Sequence, residues 1–508
     1  MCYGLKELFA AADNGADIIA LEADDSLCAV ARDRLAAQDK EGRVRLFSAR
    51  DLDALDTHLR RLASTGKYRR VLRLDFSAGT ALAPAFYAQV AAAAQEIIAA
   101  FWKNQVTLLR MGRLFAKNIF QNLPRLSGSM QLDQLEGSVP CPILVCGAGE
   151  SLDKTQVPAS GSFIIAVDAA LPALLARGIL PDAVVSLESQ AVIQKAYIGA
   201  ASALKGSPPL LFADITSRPS VPRSFPNRTV FFASKYAEAS YLDRLAGKGI
   251  VHDYIAPLGS VGLAAVYIAL RLRKDEGVPV FVTGLDFSYS AGRTHASGVP
   301  HDIQRKASST RMSPAEIYGA AFGPASMPVK SKDGSRMISI KSMTGYAEEF
   351  RQFFSGKKNL LDIGQTGLDL GLAQAKDESL LEAAAGINKG KATEDHRATS
   401  SQEDSTKQTK EAVATFLSEE KTALLTLKDL LMHGDASGHR DRSMSLNGQL
   451  YALLAGREYL YLHFPDGYRV STDTAFLKRV RAEADFFLKQ IGLAESLMAG
   501  TGEEAKRG

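Results

Sequence analysis

Between Pro140 and Gly284 the chain repeats one pattern: a short run of consecutive apolar residues, a polar or glycine residue at its end, and then a helix-like stretch. The runs are Ile143 to Cys146, Phe163 to Val167, Ala183 to Leu187, Leu210 to Ala213, Thr229 to Ala233 and Val280 to Gly284. A strand with one wet face would alternate, whereas strands covered on both faces are apolar throughout. The pattern therefore predicts a parallel sheet with crossover helices, a Rossmann-like α/β centre. In such a sheet, ligands bind at the carboxyl ends of the strands, and these runs end in Asp168, in Glu188 and Ser189, near Asp214 and near Ser234.

The first run opens at once into Gly147, Ala148, Gly149, Glu150 and Ser151. Gly147 and Gly149 carry no Cβ and are free to take positive φ, so a phosphate or carboxylate can approach the backbone amides, with Ser151 at a helix start. The same glycines also suit an ordinary tight strand-to-helix turn. A second glycine-serine helix start, Gly259, Ser260, Val261 and Gly262, precedes the apolar helix Leu263 to Leu272 and is again suited to an anion. After the strand ending at Gly284 come Asp286 and a long polar stretch, 291–314, holding Arg293, His295, His301, Arg305, Lys306 and Arg311. A loop of that length inside a compact domain is usually functional or disordered.

At 508 residues the chain is too long for one ordinary core. Hydrophobic content of 46% with 23% charged residues is that of a globular protein outside the membrane, and no apolar run approaches the ~20 residues needed to span a bilayer. No basic, apolar and cleavage-site succession opens the chain, so a cytoplasmic location is expected. Cys2, Cys28, Cys141 and Cys146 are scattered and read as small core residues in a reducing compartment. A net charge of +4, without a dense Lys/Arg block interleaved with aromatics, gives no reason to expect nucleic acid as a partner.

Residues 1–125 read as a smaller Rossmann-like α/β domain entered part-way, as if an initial strand and glycine turn were lost. Strands are expected at Asp17 to Glu22, Val44 to Phe47 and Val71 to Phe76, and a long helix from Ala85 to Asn122. Glu22 would face a ribose in a complete nucleotide fold and reads here as a structural remnant. Residues 135–372 hold the central domain, closed by a run Met337 to Ile340, a helix Thr344 to Phe354 and a strand Leu360 to Ile363. Residues 373–508 read as a helical bundle, with a polar linker at 390–410 and helices at Glu411 to Met432, Met444 to Arg457 and Asp473 to Met498. Leu424, Leu427, Leu430 and Leu431 would either dock a partner helix or pack into the bundle's own core.

The stretches GAGESLD, VDAALPALLARGILPDAVVSLES, LGSVGLAAVYIALRL and VTGLDFSYSAGRTHASG, in that order over residues 140–370, resemble the central domain of motility-accessory-factor (Maf-type) flagellin glycosyltransferases. That domain is similar to the archaeal 6-hydroxymethylpterin diphosphokinases, called MptE-like, and remotely to bacterial sialyltransferases. The resemblance implies transfer of a nonulosonic acid, pseudaminic or legionaminic, from its CMP-activated form to Ser or Thr hydroxyls of flagellin, in support of flagellum assembly and motility. No further cofactor is implied.

Under this resemblance Gly147, Gly149, Glu150 and Ser151, with Gly259, Ser260, Val261 and Gly284, would cradle phosphate and ribose. Asp168 and Glu188 would hold ribose hydroxyls or the cytosine amine, or else cap their own loops. His295 would be the general base, with Asp286 orienting it or positioning the sugar, and His301 the substitute. Arg293, Lys306 or Arg311 would offset donor charge if the loop folds over the site. The family's second motif often ends in Asp where this chain has Glu188. Two alternatives stand beside this reading: an ATP- and Mg²⁺-dependent pterin diphosphokinase with Asp168, Glu188 and Asp286 as oxygen ligands, and a non-catalytic flagellin-binding assembly factor.

Overall fold

The computed structural model describes residues 4–12, 16–39, 42–75, 78–198, 200, 208–314, 323–387, 400–433 and 445–500. These form two compact units. One comprises the described residues up to Arg113 together with Tyr459–Phe476; the other comprises those from Leu114 to Glu458 and from Leu477 onward.

In the first unit, β1 (Ile18–Glu22) and β2 (Val44–Ser48) pair in parallel, Ile18 opposite Val44 and Glu22 opposite Ser48. Leu55 and Leu59 of the helix Leu52–Ser64 and Ala94 of the helix Pro84–Thr107 close a small core over Ile19, Leu21 and Phe47. Glu22 accepts hydrogen bonds from the Asp24 N–H at 3.2 Å and the Tyr87 hydroxyl at 3.3 Å, a structural use of that strand end. The strand expected from Val71 is not formed over 71–75, where Leu72 and Leu74 are 71% and 59% exposed. Val71 itself packs on the small core, but its N–H donates to Gln95 Oε1 at 3.0 Å instead of to a strand, and Phe76 lies outside the described residues. The helix expected over 85–122 is observed as Pro84–Thr107, a π turn at Leu108–Gly112, and Arg113–Leu126.

The second unit is built on a parallel sheet of ten strands. In chain order they are β3 (Met130–Gln131), β4 (Ile143–Cys146), β5 (Phe163–Val167), β6 (Ala183–Ser186), β7 (Leu210–Asp214), β8 (Thr229–Ser234), β9 (Tyr254–Ile255), β10 (Val280–Thr283), then two at Leu360–Asp362 and Ala373–Gln374. An antiparallel pair outside the sheet, β11 (Ser326–Lys330) and β12 (Arg336–Ile340), precedes these last two, which are β13 and β14. The spatial order is β14-β13-β10-β4-β5-β6-β7-β8-β3, with β9 also on β8. Every residue of β4, β5, β6, β8 and β10 is buried, which is why these runs are apolar at consecutive positions.

The helix Val261–Leu272 covers one face, its Ala264, Ala265 and Ala269 fully buried, and Ser260 caps it by accepting the Gly262 N–H at 3.1 Å. Cys141 and Cys146 are buried in this core and Cys28 is buried in the first unit, none of them in a disulfide, while Cys2 lies outside the described residues.

The polar stretch is not all loop. A helix spans Pro300–Ser308, started by Pro300 and held by ion pairs from Asp302 to Arg305 at 3.0 Å and to Lys306 at 2.7 Å. Toward the C-terminus the helices are Ser400–His433, Leu446–Leu454 and Thr474–Met498, so the expected linker is helical from Ser400 and its earlier part lies outside the described residues. Leu424 and Leu427 are 0% and Leu430 4% exposed, which spends this face on the unit's own packing. Among the described residues no helix is long and apolar enough to cross a membrane.

Candidate functional site

From β4 the chain crosses to β5 on one side; from β10, bonded to the other side of β4, it goes on to β13. The two strands therefore flank a topological switch point, and the loops leaving them meet at the carboxyl edge of the sheet. The Gly147 N–H donates to Thr283 O at 2.8 Å and the Gly149 N–H to Gly284 O at 2.8 Å. A Cβ on Gly147 would lie 2.2 Å from Gly284 O, and one on Gly284, whose φ is 68°, would lie 2.2 Å from Gly147 O. As glycines, Gly147 and Gly149 are free to take positive φ and carry no Cβ. Gly149 has φ −72° and Gly147 is not among the positive-φ glycines, so the requirement there is close backbone approach; the left-handed residue is Gly284.

The anion expected over this loop is supplied by the chain itself. The Asp286 carboxylate accepts the Ser151 N–H at 2.8 Å and the Ser151 hydroxyl, and Ser151 Oγ in turn accepts the Gly284 N–H at 3.0 Å. Ser151 is 0% and Asp286 3% exposed, so Ser151 is spent on this bond and is not presented to a ligand. Burial pushes the Asp286 carboxyl up to about 6, with the Ser151 hydrogen bonds opposing that shift. Nearby, the half-buried Lys332 ammonium pairs with the buried Asp362 at 2.5 Å, and a Cβ on Gly364 would lie 3.1 Å from Ser151 Oγ and 3.2 Å from Lys332 Nζ. Sequence reasoning missed Lys332 and Asp362; the only signal was a carboxylate ending the strand expected at Leu360.

The second glycine-serine start is also filled from within. The Gly259 N–H donates to Glu349 Oε1 at 3.0 Å, and Gly262 lets the helix beginning at Val261 approach Leu285, whose Cδ2 a Cβ there would meet at 2.5 Å. Asp168, 4% exposed, accepts the Ala169 N–H at 2.7 Å and the Ser186 hydroxyl at 3.3 Å. Burial, assisted by the neighbouring Glu188 charge, pushes it up to about 7. Glu188 accepts the Gln190 N–H at 2.8 Å and caps its own loop.

Two residues to which the sequence reading gave no role at the site brace this edge. Asn118 and Asn122, both 0% exposed on the helix Arg113–Leu126, donate to Ser189 O and Thr216 O (3.1 and 2.8 Å) and to Ile215 O and Ser217 O (2.9 and 3.0 Å). They clamp the loops after β6 and β7. An asparagine pair four residues apart on an apolar helix face was the available signal.

The polar stretch lies on the glycine loop. The Ala296 N–H donates to Ala148 O at 2.9 Å, Asp153 accepts the Ser297 N–H at 3.0 Å and pairs with Arg293, and the Ser290 hydroxyl donates to Glu150. His295 is thus carried beside Gly147–Gly149. Its Nδ1 sits 2.9 Å from Thr294 Oγ1 and its ring 5.3 Å from that of His301. Burial, then His301, pushes its pKa down to about 4, which leaves a neutral imidazole at neutral pH. The expected orientation of His295 by Asp286 is not what that carboxylate does, since Ser151 engages both of its oxygens. Arg293 and Lys306 are held by carboxylates of the chain, and Arg311 is exposed.

Residues 117–292 match the family model described as 6-hydroxymethylpterin diphosphokinase MptE-like. An uncharacterized protein of Treponema pallidum (strain Nichols) is 34% identical over 450 residues, covering 84% of this chain and 74% of that protein. The chain belongs to the family of this treponemal protein and carries an MptE-like domain. That domain takes in Asn118, the glycine loop, the switch point and Asp286, and ends just before His295. Among solved structures, a MAf glycosyltransferase from Magnetospirillum magneticum AMB-1 is similar, at 15% identity and a TM-score of 0.47 over 97% of this chain and 78% of that one.

Proposed function

We propose that the chain is a glycosyltransferase that moves a nonulosonic acid of the pseudaminic or legionaminic type from its CMP-activated form to Ser or Thr hydroxyls of flagellin. The observation that carries the reading is the Ala296–Ala148 hydrogen bond, which lays the His295 loop against the glycine loop at the switch point of a parallel sheet. The four sequence motifs that resemble the Maf-type domain include both loops. In the reaction the acceptor oxygen bonds to the anomeric carbon and the bond from that carbon to the CMP phosphate oxygen breaks. CMP leaves with the electron pair, and the neutral His295 imidazole takes the acceptor proton. Asp168 and Glu188 hold the donor's ribose or base, and Gly147 to Ser151, Gly284 and Gly259 to Val261 shape the backbone around it.

The description of the matched family favours a second reading, a diphosphokinase that uses ATP with Mg²⁺. Among the described residues, Asp168, Glu188 and Asp286 do not form a metal-holding group of three. Calorimetric titration with CMP and with ATP, each with Mg²⁺ and with a chelator, separates the readings. The proposal expects saturable CMP binding that survives the chelator, retained in His295→Asn while transfer is lost. ATP binding only with Mg²⁺ overturns it in favour of the kinase, and binding of neither favours a flagellin-binding assembly factor.

A further inference from the structure

The first unit has a cleft of about 740 Å³ at the amino ends of β1 and β2, within the range of small-molecule sites. Five cations line it: Arg43 and Arg45 from β2 and the turn before it, Arg61 from the helix Leu52–Ser64, Lys67 just beyond that helix, and Arg469 from Tyr459–Phe476. One carboxylate, Asp17, stands among them, 3.9 Å from Lys67. The surplus of five over one equals the formal net charge of the whole chain, +4. Like charges gathered from separate segments into one hollow repel one another and draw a multiply charged anion.

Several of these groups are held in place. Arg469 donates through Nε to Thr65 O at 2.9 Å and lies 5.7 Å over the Tyr468 ring, which is itself seated on Gly66, where a Cβ would lie 2.3 Å from the ring. Arg61 Nη2 sits 3.2 Å from His58 Nδ1, which places the imidazole proton on Nε2. His58, 9% exposed, is pushed below its ordinary pKa by burial and then by Arg61 and Arg45, a second sign of the positive field.

We propose that this cleft binds a small molecule carrying a diphosphate. Arginine guanidinium groups bind phosphate oxygens in pairs, and two linked phosphates supply enough acceptors for cations arriving from several sides. The half-buried Tyr68 ring also stands on the cleft wall, with the Lys67 ammonium 4.9 Å from its centre. The site lies in a different unit from the glycine loop, and it stands or falls independently of the glycosyltransferase reading.

The test is calorimetric titration of the full chain with inorganic pyrophosphate and with ADP, at low salt. Saturable pyrophosphate binding is expected, weakened by at least about ten-fold in Arg45→Glu/Arg61→Glu and several-fold in the milder Arg45→Gln/Lys67→Gln. Arg45, Arg61 and Lys67 are exposed, so these variants keep the fold, checked by circular dichroism. Raising salt from about 50 to 200 mM weakens binding to the wild-type chain. Tighter binding of ADP than of pyrophosphate assigns a nucleotide; equal or weaker binding assigns the diphosphate alone. No saturable binding, or folded charge-reversed variants that bind as the wild type does, overturns the proposal.

Discussion

Replacing Asp168 by Asn should stabilise the protein, and only where Asp168 is forced to ionise. Its carboxyl is 4% exposed and titrates at about 7, against 3.8 for an ordinary aspartate, because burial penalises the charged form. The folded state therefore holds this proton more tightly than the unfolded chain. The resulting stability is fully present below the unfolded pKa and is lost as pH rises through the folded one. At about 1.4 kcal/mol per unit, the loss grows from nothing below about pH 3, through less than about 2 kcal/mol near pH 5, to about 4 kcal/mol above pH 7. Asn cannot ionise, keeps an oxygen for the Ala169 N–H and can still bond the Ser186 hydroxyl. Urea denaturation followed by far-ultraviolet circular dichroism should then show a gap between variant and wild type that is some 2 to 3 kcal/mol wider near pH 8 than near pH 5. A gap that does not change with pH, or a variant less stable at both, refutes the reasoning. If Asp168 also holds the donor, the stabilised variant binds CMP at least about ten-fold more weakly.

Ser151→Ala removes the hydroxyl that joins Asp286 to the Gly284 N–H and should cost about 2–4 kcal/mol, read from the urea midpoint. Gly284→Ala adds a Cβ at φ 68°, 2.2 Å from Gly147 O, and should cost on the order of 3 kcal/mol or leave the protein insoluble; a neutral effect would show that the two loops are not in close contact. Asn122→Leu leaves the Ile215 and Ser217 carbonyls without their side-chain donor and should cost about 2 kcal/mol, with faster amide exchange in the loop after β7. In histidine-labelled protein the His295 ring resonances should titrate near pH 4, and titration at the ordinary value near 6.5 would place the ring in solvent.

The sheet was legible because burial on both faces leaves no room for polar residues inside β4 to β8 and β10, so each strand appears as an uninterrupted apolar run. The same rule misled at Val71: Leu72 and Leu74 are apolar yet exposed, and the Val71 N–H is taken by the Gln95 side chain. The helix Pro300–Ser308 carried its own signs, a proline at its start and Asp302 followed by Arg305 and Lys306, hidden by the overall polarity of the stretch.

At the candidate site, the positions of the strand ends, of both glycine starts and of the polar stretch holding His295 could be read, because each is a local pattern. What they bond to could not. Ser151 and Asp286 are 135 residues apart, and no local rule indicates that the first anion at the glycine loop is a side chain of the protein. The glycines were read for conformational freedom, whereas Gly147 and Gly149 are required by the closeness of Gly284 and Asp286. Lys332 and the two clamping asparagines act on groups distant in sequence and carried no chemical motif.

The most direct test of the central proposal is intact-mass spectrometry of purified flagellin incubated with the protein and a CMP-activated nonulosonic acid. The reading predicts mass increments of one or more nonulosonic acid residues on Ser or Thr, with stoichiometric release of CMP, and loss of both in His295→Asn while CMP binding persists. Unmodified flagellin with a folded, CMP-binding enzyme and each of the two candidate sugars would contradict it.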